Sequence, residues 1–185
     1  MEAIEIFQHT KIGATVVHVV SVVLGMGSAL VSDLLFTFFS KDKKLNKTEL
    51  KTLEILAQAV LYSLVAIIVS GGFIFLSDIE KYSTSAKFLS KMTIVGILLL
   101  NGILLNKFAW SHLLDKNFFT SKKASLARKL AFAFGAVSVI SWISACVLGI
   151  LDSLDMSYAG IMSIYLGITA FSVVVSLLVE KKEFN

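Results

Sequence analysis

Three titratable side chains lie inside stretches of the sequence that are otherwise apolar. His18 and Asp33 interrupt the run from Lys11 to Phe39, and Lys91 interrupts a second run. Moving a charged side chain to the centre of a bilayer costs at least about 2.5–3.5 kcal/mol, so such residues usually face a protein interior and mark a functional site. These three residues are therefore the first candidates for chemistry.

The sequence leaves three interpretations open for His18. It is a structural residue hydrogen-bonded to another helix, a haem or metal ligand through an imidazole nitrogen, or a proton-relay group. Lys91 lies at about the same depth in a neighbouring span. It either extends towards lipid headgroups or, near an apolar cavity, takes part in proton transfer. With Trp142 of the fourth span as a wall, these residues form our hypothesis for a site that binds haem b or a metal ion.

Asp33 lies about 22 Å along the helix from His18, which is too far for both to belong to one site. We expect Asp33 to join a polar cluster with three amide side chains: Asn101, Asn106 and Gln58. One interpretation is a network of hydrogen bonds between helices, worth about 0.6–2 kcal/mol for each contact. The other is a relay for protons or cations that ends at the cytoplasmic surface.

The composition indicates a membrane environment for the elements that position these residues. Hydrophobic residues make up 56% of the 185 residues, and the mean hydropathy is +0.83. A spanning helix satisfies its own backbone and needs about 20 apolar residues. Five such segments are present, at about 11–39, 50–77, 86–110, 125–151 and 156–179. We predict an all-α integral membrane protein, a single transmembrane domain built as an antiparallel bundle of five helices.

Lysine and arginine predict the orientation of the bundle. Of the 17 such residues, 13 lie in or beside the first loop, the third loop and the C-terminal tail, and 4 lie on the other side. Loops rich in lysine and arginine stay in the cytoplasm. We expect the N-terminus outside, the C-terminus in the cytoplasm, and the plasma membrane of a bacterium as the location. The same rule explains the net charge of +4 without a nucleic-acid partner.

Small residues on the first span predict where another helix packs. A helix advances about 100° per residue, which places Gly25, Ala29 and Asp33 on the face of His18. Small residues let a neighbouring helix approach closely. We expect this face to meet the third span, so that a buried polar seam lies between helices 1 and 3.

No soluble-type active site is indicated by the motifs of the chain. It contains no nucleophile motif, phosphate-binding loop, dinucleotide fingerprint or Cys–His metal pattern. Its single cysteine, Cys146, excludes an internal disulfide. Besides the lipid bilayer, the partners we expect are a second copy of the chain or another membrane subunit, because the number of spans is odd.

Two stretches resemble a group of small bacterial membrane proteins: HVVSVVLGMGSALVSDLLF of the first span and KFLSKMTIVGILLLNG of the third. The group includes the CopD-like copper-resistance domains, HemJ-type protoporphyrinogen oxidases and several uncharacterised families. The two stretches resemble the uncharacterised families most. The resemblance implies that His18 and Lys91 match a histidine and a lysine implicated in haem binding in HemJ-type proteins. The chain departs from them in lacking the tryptophan and aromatic-rich segment after the histidine. It also lacks the methionines and multiple histidines of a copper conduit.

The sequence leaves three functions open, and it does not decide whether the protein is an enzyme. The first is binding of haem or a metal near His18 and Lys91 with a redox role. The second is transport of protons or a small solute, as in a transporter or channel, along a seam of four residues: His18, Lys91, Asn101 and Asp33. The third is a non-catalytic structural subunit.

Overall fold

The computed structural model describes residues 2–110, 118–119, 124–151 and 154–184, apart from the side chains of residues 2–9, 42, 109 and 110. The regular structure of these residues is helical. The α-helices are α1 (Glu2–Phe39), α2 (Lys47–Leu76), α3 (Ile79–Ser83), α4 (Ala86–Leu105), α5 (Ser125–Ile150) and α6 (Tyr158–Phe184). A 3-10 turn, Ser40–Asp42, follows α1, and a π-helical turn, Asn106–Trp110, continues α4.

Five of these helices are long and apolar enough to cross a membrane, which confirms that part of the prediction. The candidate spans are Thr10–Phe39, Lys47–Leu76, Ala86–Phe108, Ser125–Ile150 and Tyr158–Phe184. The last helix continues beyond the predicted end at residue 179 because Glu180 is buried and bonded to Arg128 of α5.

Polar caps set the starts of the helices that follow the short loops. Asn46 and Glu49 form a reciprocal capping box at the start of α2, with distances of 2.9 and 2.7 Å. The side chains of Asp78 and Ser85 accept backbone amides at the starts of α3 and α4. These bonds satisfy amide donors that a helix start otherwise leaves unpaired.

Side-chain contacts show that neighbouring helices run antiparallel. Between α1 and α2, His18 contacts Ser70, and Gly25 lies against Ser63. Between α5 and α6, the early residue Arg128 meets the late residue Glu180, and Ser141 meets Tyr165 midway. Helices α4 and α5 pair in the same way, from Lys91 with Gly149 to Asn101 with Phe134. We call the two ends of the bundle the Asp78 end and the Lys47 end, after one residue found at each end.

Helix α1 packs mainly against α2 and secondarily against α5, which differs from the expected seam between spans one and three. The indole of Trp142 in α5 fills the space beside Gly25. Ala29 still lies in a core cluster with Leu98 of α4, but the cluster also contains Leu64, Ile67 and Trp142. Helical periodicity identified the buried face of α1 correctly, whereas the large indole decided which helix covers it.

Helix α5 lies between two of the three core clusters found among the described residues. Trp142 points towards α1 and α2, where it is 2% exposed. Its neighbour Ser141 points the other way and contacts Tyr165 of α6, with 2.8 Å between the two hydroxyl oxygens. Tyr165 belongs to the second cluster, together with Ile94 of α4 and Leu148 of α5. Trp142 and Tyr165 therefore belong to different clusters, on opposite sides of α5.

Candidate functional site

His18 lies against the last third of α2. Its Nδ1 is 3.1 Å from Oγ of Ser70, which also donates to the backbone carbonyl of Ala66. A Cβ atom at Gly71 would lie 3.4 Å from Cε1 of the imidazole. The absence of a side chain at residue 71 therefore lets the ring approach the helix backbone closely. Ser70 was not among the residues singled out from the sequence, although it directly precedes Gly71 and Gly72.

Lys91 extends from α4 to α5 at the same level of the bundle. Its Nζ lies 3.6 Å from the position that a Cβ atom would take at Gly149. Lys91 interacts electrostatically with His18 and with Cys146 of α5. Two of the three residues of the hypothetical cofactor site are thus near each other, contributed by α1 and α4.

Trp142, the third residue of that hypothesis, lies in the next layer of the bundle. It is seven positions before Gly149 on α5 and contacts Gly25, seven positions after His18 on α1. Seven residues of helix rise about 10 Å. A Cβ at Gly25 would lie 2.5 Å from Cη2 of the indole and 2.9 Å from Cβ of Ser63. Trp142 therefore fills the middle of the α1–α2–α5 interface, and its buried Nε1 has no hydrogen-bond partner in the part of the chain that the structure describes.

Asp33 lies one layer further towards the Lys47 end. Its Oδ1 would be 3.4 Å from a Cβ at Gly135 of α5, and its Oδ2 is buried without a hydrogen-bond partner among the described residues. Asn101 of α4 approaches the neighbouring position of α5 and donates from Nδ2 to the carbonyl of Phe134 at 3.0 Å. Both polar residues thus meet α5 at adjacent positions.

The other two amides predicted for this cluster are not brought into it. Gln58 and Asn106 are exposed on the outside of the bundle. Each lies five positions from a buried residue on its own helix, Ser63 for Gln58 and Asn101 for Asn106. Five residues rotate the side chain by about 140°. That rotation places both amides on the opposite side of their helices.

A buried ion pair that sequence reasoning missed lies at the Lys47 end. Nε of Arg128 is 3.2 Å from Oε1 of Glu180, and both side chains are almost fully buried. The guanidinium also donates from Nη1 to the carbonyl of Phe118 at 2.9 Å and lies over the ring of Phe184. Two features of the sequence could have indicated this ion pair. Glu180 is a carboxylate near the end of the last predicted span, and Arg128 is an arginine just inside the fourth.

The residues around His18 offer limited support for a metal or haem. Among the described residues, no group of three His, Cys, Asp or Glu side chains is placed to hold a metal ion. Nδ1 of His18 is occupied by Ser70, which leaves Nε2 as the one imidazole nitrogen for a ligand bond. The binding of haem b or a metal at His18, Lys91 and Trp142 therefore stays a prediction, tested by the absorption spectrum and metal content of the purified protein.

Comparison with known proteins does not add an identity. No family model, curated protein or solved structure matches the chain. The resemblance to CopD-like and HemJ-type proteins accordingly stays an expectation, and function has to be argued from the site itself.

Proposed function

We propose that this protein spans the plasma membrane of a bacterium five times and passes protons along one face of α1. The N-terminus is outside and the C-terminus is in the cytoplasm, as the distribution of lysine and arginine predicts. The Asp78 end is then the outer end and the Lys47 end is the inner end. His18 and Lys91 lie in the outer half, and Asp33 lies in the inner half.

The outer surface of the bundle supports insertion in a bilayer. Large apolar side chains are exposed on the spanning helices, among them Ile12 at 78%, Leu34 at 71%, Ile150 at 75% and Phe171 at 70%. Soluble proteins rarely expose contiguous apolar patches larger than a few hundred Å². Lipid is the surrounding in which such a surface is stable.

The observation that carries the proposal is the environment of Asp33. Buried polar atoms in folded proteins are nearly always hydrogen-bonded, yet Oδ2 of this carboxyl group has no partner among the described residues. Oε2 of Glu180 is also without a partner, but the other oxygen of that carboxylate accepts from Arg128, whereas no cation pairs with Asp33 among the described residues. A titratable group held in a span with an unused oxygen is suited to bind and release a proton.

The route that we propose has three layers along α1. His18 with Lys91 forms the outer layer, Trp142 fills the middle layer, and Asp33 forms the inner layer. Adjacent layers are separated by about 10–12 Å. The packing of Trp142 against Gly25 closes the route to larger solutes, so we favour protons over the small-solute alternative. In this proposal a movement of the indole connects the outer and inner layers.

Proteoliposomes that contain the purified protein and an internal pH-sensitive dye test the proposal. A potassium gradient with valinomycin drives protons inward, and the rate of acidification is measured. We expect acidification above that of empty liposomes, a loss of most of that rate in Asp33→Asn, and a smaller loss in His18→Gln.

The matched control is Glu54→Gln, which also removes one carboxylate but from the exposed pair of Lys51 and Glu54, 3.2 Å apart. This variant should conduct like the wild type. Equal rates in wild-type and empty liposomes contradict the proposal. Equal rates in wild type and Asp33→Asn remove Asp33 from the route.

A further inference from the structure

The hydrogen bond between Ser70 and His18 has a direction that the neighbouring contacts determine. Oγ of Ser70 donates its only hydrogen to the carbonyl of Ala66 at 2.6 Å, the bond that a serine in a helix forms with the residue four positions before it. A hydroxyl whose hydrogen is already in use can only accept from a second partner. Nδ1 of His18, 3.1 Å away, therefore carries a hydrogen and donates it to Ser70.

The lengths of the two bonds and a further acceptor agree with this direction. Hydroxyl donors typically lie about 2.7–2.8 Å from an accepting oxygen, and N–H donors about 2.9–3.0 Å. The backbone of Ile67 also forms a hydrogen bond with the imidazole, and the carbonyl of Ile67 lies 3.3 Å from Oγ of Ser70. A carbonyl only accepts, so this partner requires an N–H group on the ring as well.

The tautomer determines where the imidazole presents its lone pair. A neutral imidazole carries a hydrogen on one nitrogen, and the other nitrogen accepts. With the hydrogen on Nδ1, the acceptor is Nε2. Nδ1 and Cε1 form the ring edge that lies on α2, 3.6 and 3.4 Å from the position of a Cβ at Gly71. Because the two nitrogens of the ring point in nearly opposite directions, the lone pair of Nε2 is directed away from α2.

We infer that Ser70 is a positioning residue, which holds neutral His18 in the Nδ1–H tautomer so that Nε2 is the proton acceptor of the outer layer. An N–H bond forms at Nε2 when the ring takes up a proton, and the ring becomes an imidazolium. The same bond breaks on release, because the hydrogen on Nδ1 faces a hydroxyl whose own hydrogen is held by a helix carbonyl. His18 therefore accepts and returns the proton on one nitrogen.

Solid-state nuclear magnetic resonance of the full-length protein in lipid bilayers, with histidine labelled with 13C and 15N, tests the tautomer. The 15N shifts distinguish a nitrogen that carries hydrogen from one with a lone pair, and the His18→Gln spectrum identifies the signals of His18. We expect neutral His18 to carry its hydrogen on Nδ1. In Ser70→Ala the ratio of the two tautomers should shift by about tenfold towards Nε2–H, as expected for the loss of one hydrogen bond.

The matched control is Ser40→Ala. Ser40 is as buried as Ser70, at 4% exposed, and likewise donates at 2.6 Å to the carbonyl four positions before it, that of Phe36. This variant should leave the tautomer of His18 unchanged, and Ser70→Thr, which keeps a hydroxyl, should restore it. An Nε2–H tautomer in the wild type overturns the inference. An unchanged ratio in Ser70→Ala overturns the positioning role of Ser70.

Proton flux in proteoliposomes tests the functional part, which rests on the proposed proton passage, whereas the tautomer is measured without a gradient. Ser70→Ala should lower the flux by no more than His18→Gln does, and Ser70→Thr should restore most of it. A shifted tautomer with unchanged flux overturns Nε2 as the acceptor on the route. A wild type without flux contradicts the proposed function and leaves the tautomer assignment standing on its spectrum.

Discussion

Two carboxylates inside the bundle each have one buried oxygen without a hydrogen-bond partner among the described residues, and they differ in whether a cation pairs with them. Glu180 at the Lys47 end accepts a hydrogen bond from Arg128, and the guanidinium is held in turn by the carbonyl of Phe118. Asp33 faces the bare backbone at Gly135, and no cation pairs with it in the described part of the chain. One further difference is position, since Asp33 lies about 9 Å along α1 from its end at Phe39, whereas Glu180 lies in the last turns of α6.

Whether a cation pairs with a buried carboxylate gives a criterion for distinguishing a structural residue from a functional one. A paired buried charge is held in one state, and removing either partner leaves the other charge uncompensated. An unpaired titratable group within a span is costly to keep, so its retention needs another explanation. We therefore propose that Glu180 stabilises the Lys47 end and that Asp33 carries protons, and the following variants test that division.

The largest expected effect on stability is that of Glu180→Ala. Removing one partner of a buried ion pair costs about 3–5 kcal/mol, because the buried guanidinium of Arg128 keeps its charge. Unfolding by a titration with sodium dodecyl sulfate in mixed micelles, followed by circular dichroism, gives the change in free energy. Glu54→Ala in the exposed pair with Lys51 is the control and should cost at most about 1 kcal/mol. Similar losses in the two variants refute the structural role of Glu180.

The next effect concerns the tightly packed layer of Trp142. This layer lies between Asp33 and the layer of His18 and Lys91. Gly25→Ala adds a Cβ that would lie 2.5 Å from the indole of Trp142, and such overpacking typically costs about 1–3 kcal/mol. The control is Gly27→Ala on the same helix, where nothing lies within 4 Å of the added atom. The same unfolding titration measures both. A loss in Gly27→Ala as large as that in Gly25→Ala is incompatible with the close approach of Trp142.

A smaller effect is expected at the amide that neighbours Asp33. Asn101→Leu removes the hydrogen bond to the carbonyl of Phe134, and interhelical hydrogen bonds in membrane proteins contribute about 0.6–2 kcal/mol. Asn106→Leu changes the same side chain where it is exposed, so its free energy of unfolding should stay unchanged or rise. If both variants lose equally, the assignment of only one of the two amides to the core is refuted.

The smallest expected change in stability is that of Asp33→Asn. The substitution keeps the size of the side chain and removes a carboxyl group that has an unpartnered oxygen. Its free energy of unfolding should stay within about 0.5 kcal/mol of the wild-type value or exceed it. A loss comparable to that of Glu180→Ala means that Asp33 has a structural partner, and the contrast between the two carboxylates then fails.

Composition and helical periodicity predicted the helices and one buried face, but not the partners of that face. The apolar runs predicted five helices that are long and apolar enough to cross a membrane, and the described residues contain them. The angular spacing on α1 placed Gly25 and Ala29 correctly on the buried side. It does not tell which neighbour covers that side, because this depends on the volume of Trp142, more than a hundred residues away in the chain.

Contacts between residues far apart in the chain also explain which features of the site were not predicted from the sequence. Arg128 and Glu180 are 52 positions apart, and each alone is indistinguishable from a residue at a membrane boundary. Gln58 and Asn106 were grouped with Asp33 by polarity and depth, and their rotation about their own helices excludes them. His18 and Lys91 were predicted at one depth, and the structure places them at one level because α1 and α4 both approach α5.

The central claim is that Asp33 carries protons rather than holds helices together. Acidification of proteoliposomes by Asp33→Asn, compared with a wild-type sample of equal folded content, tests it most directly. The account predicts that the variant remains folded with unchanged stability and loses most of the proton flux. A variant that is equally folded and conducts at the wild-type rate contradicts the account.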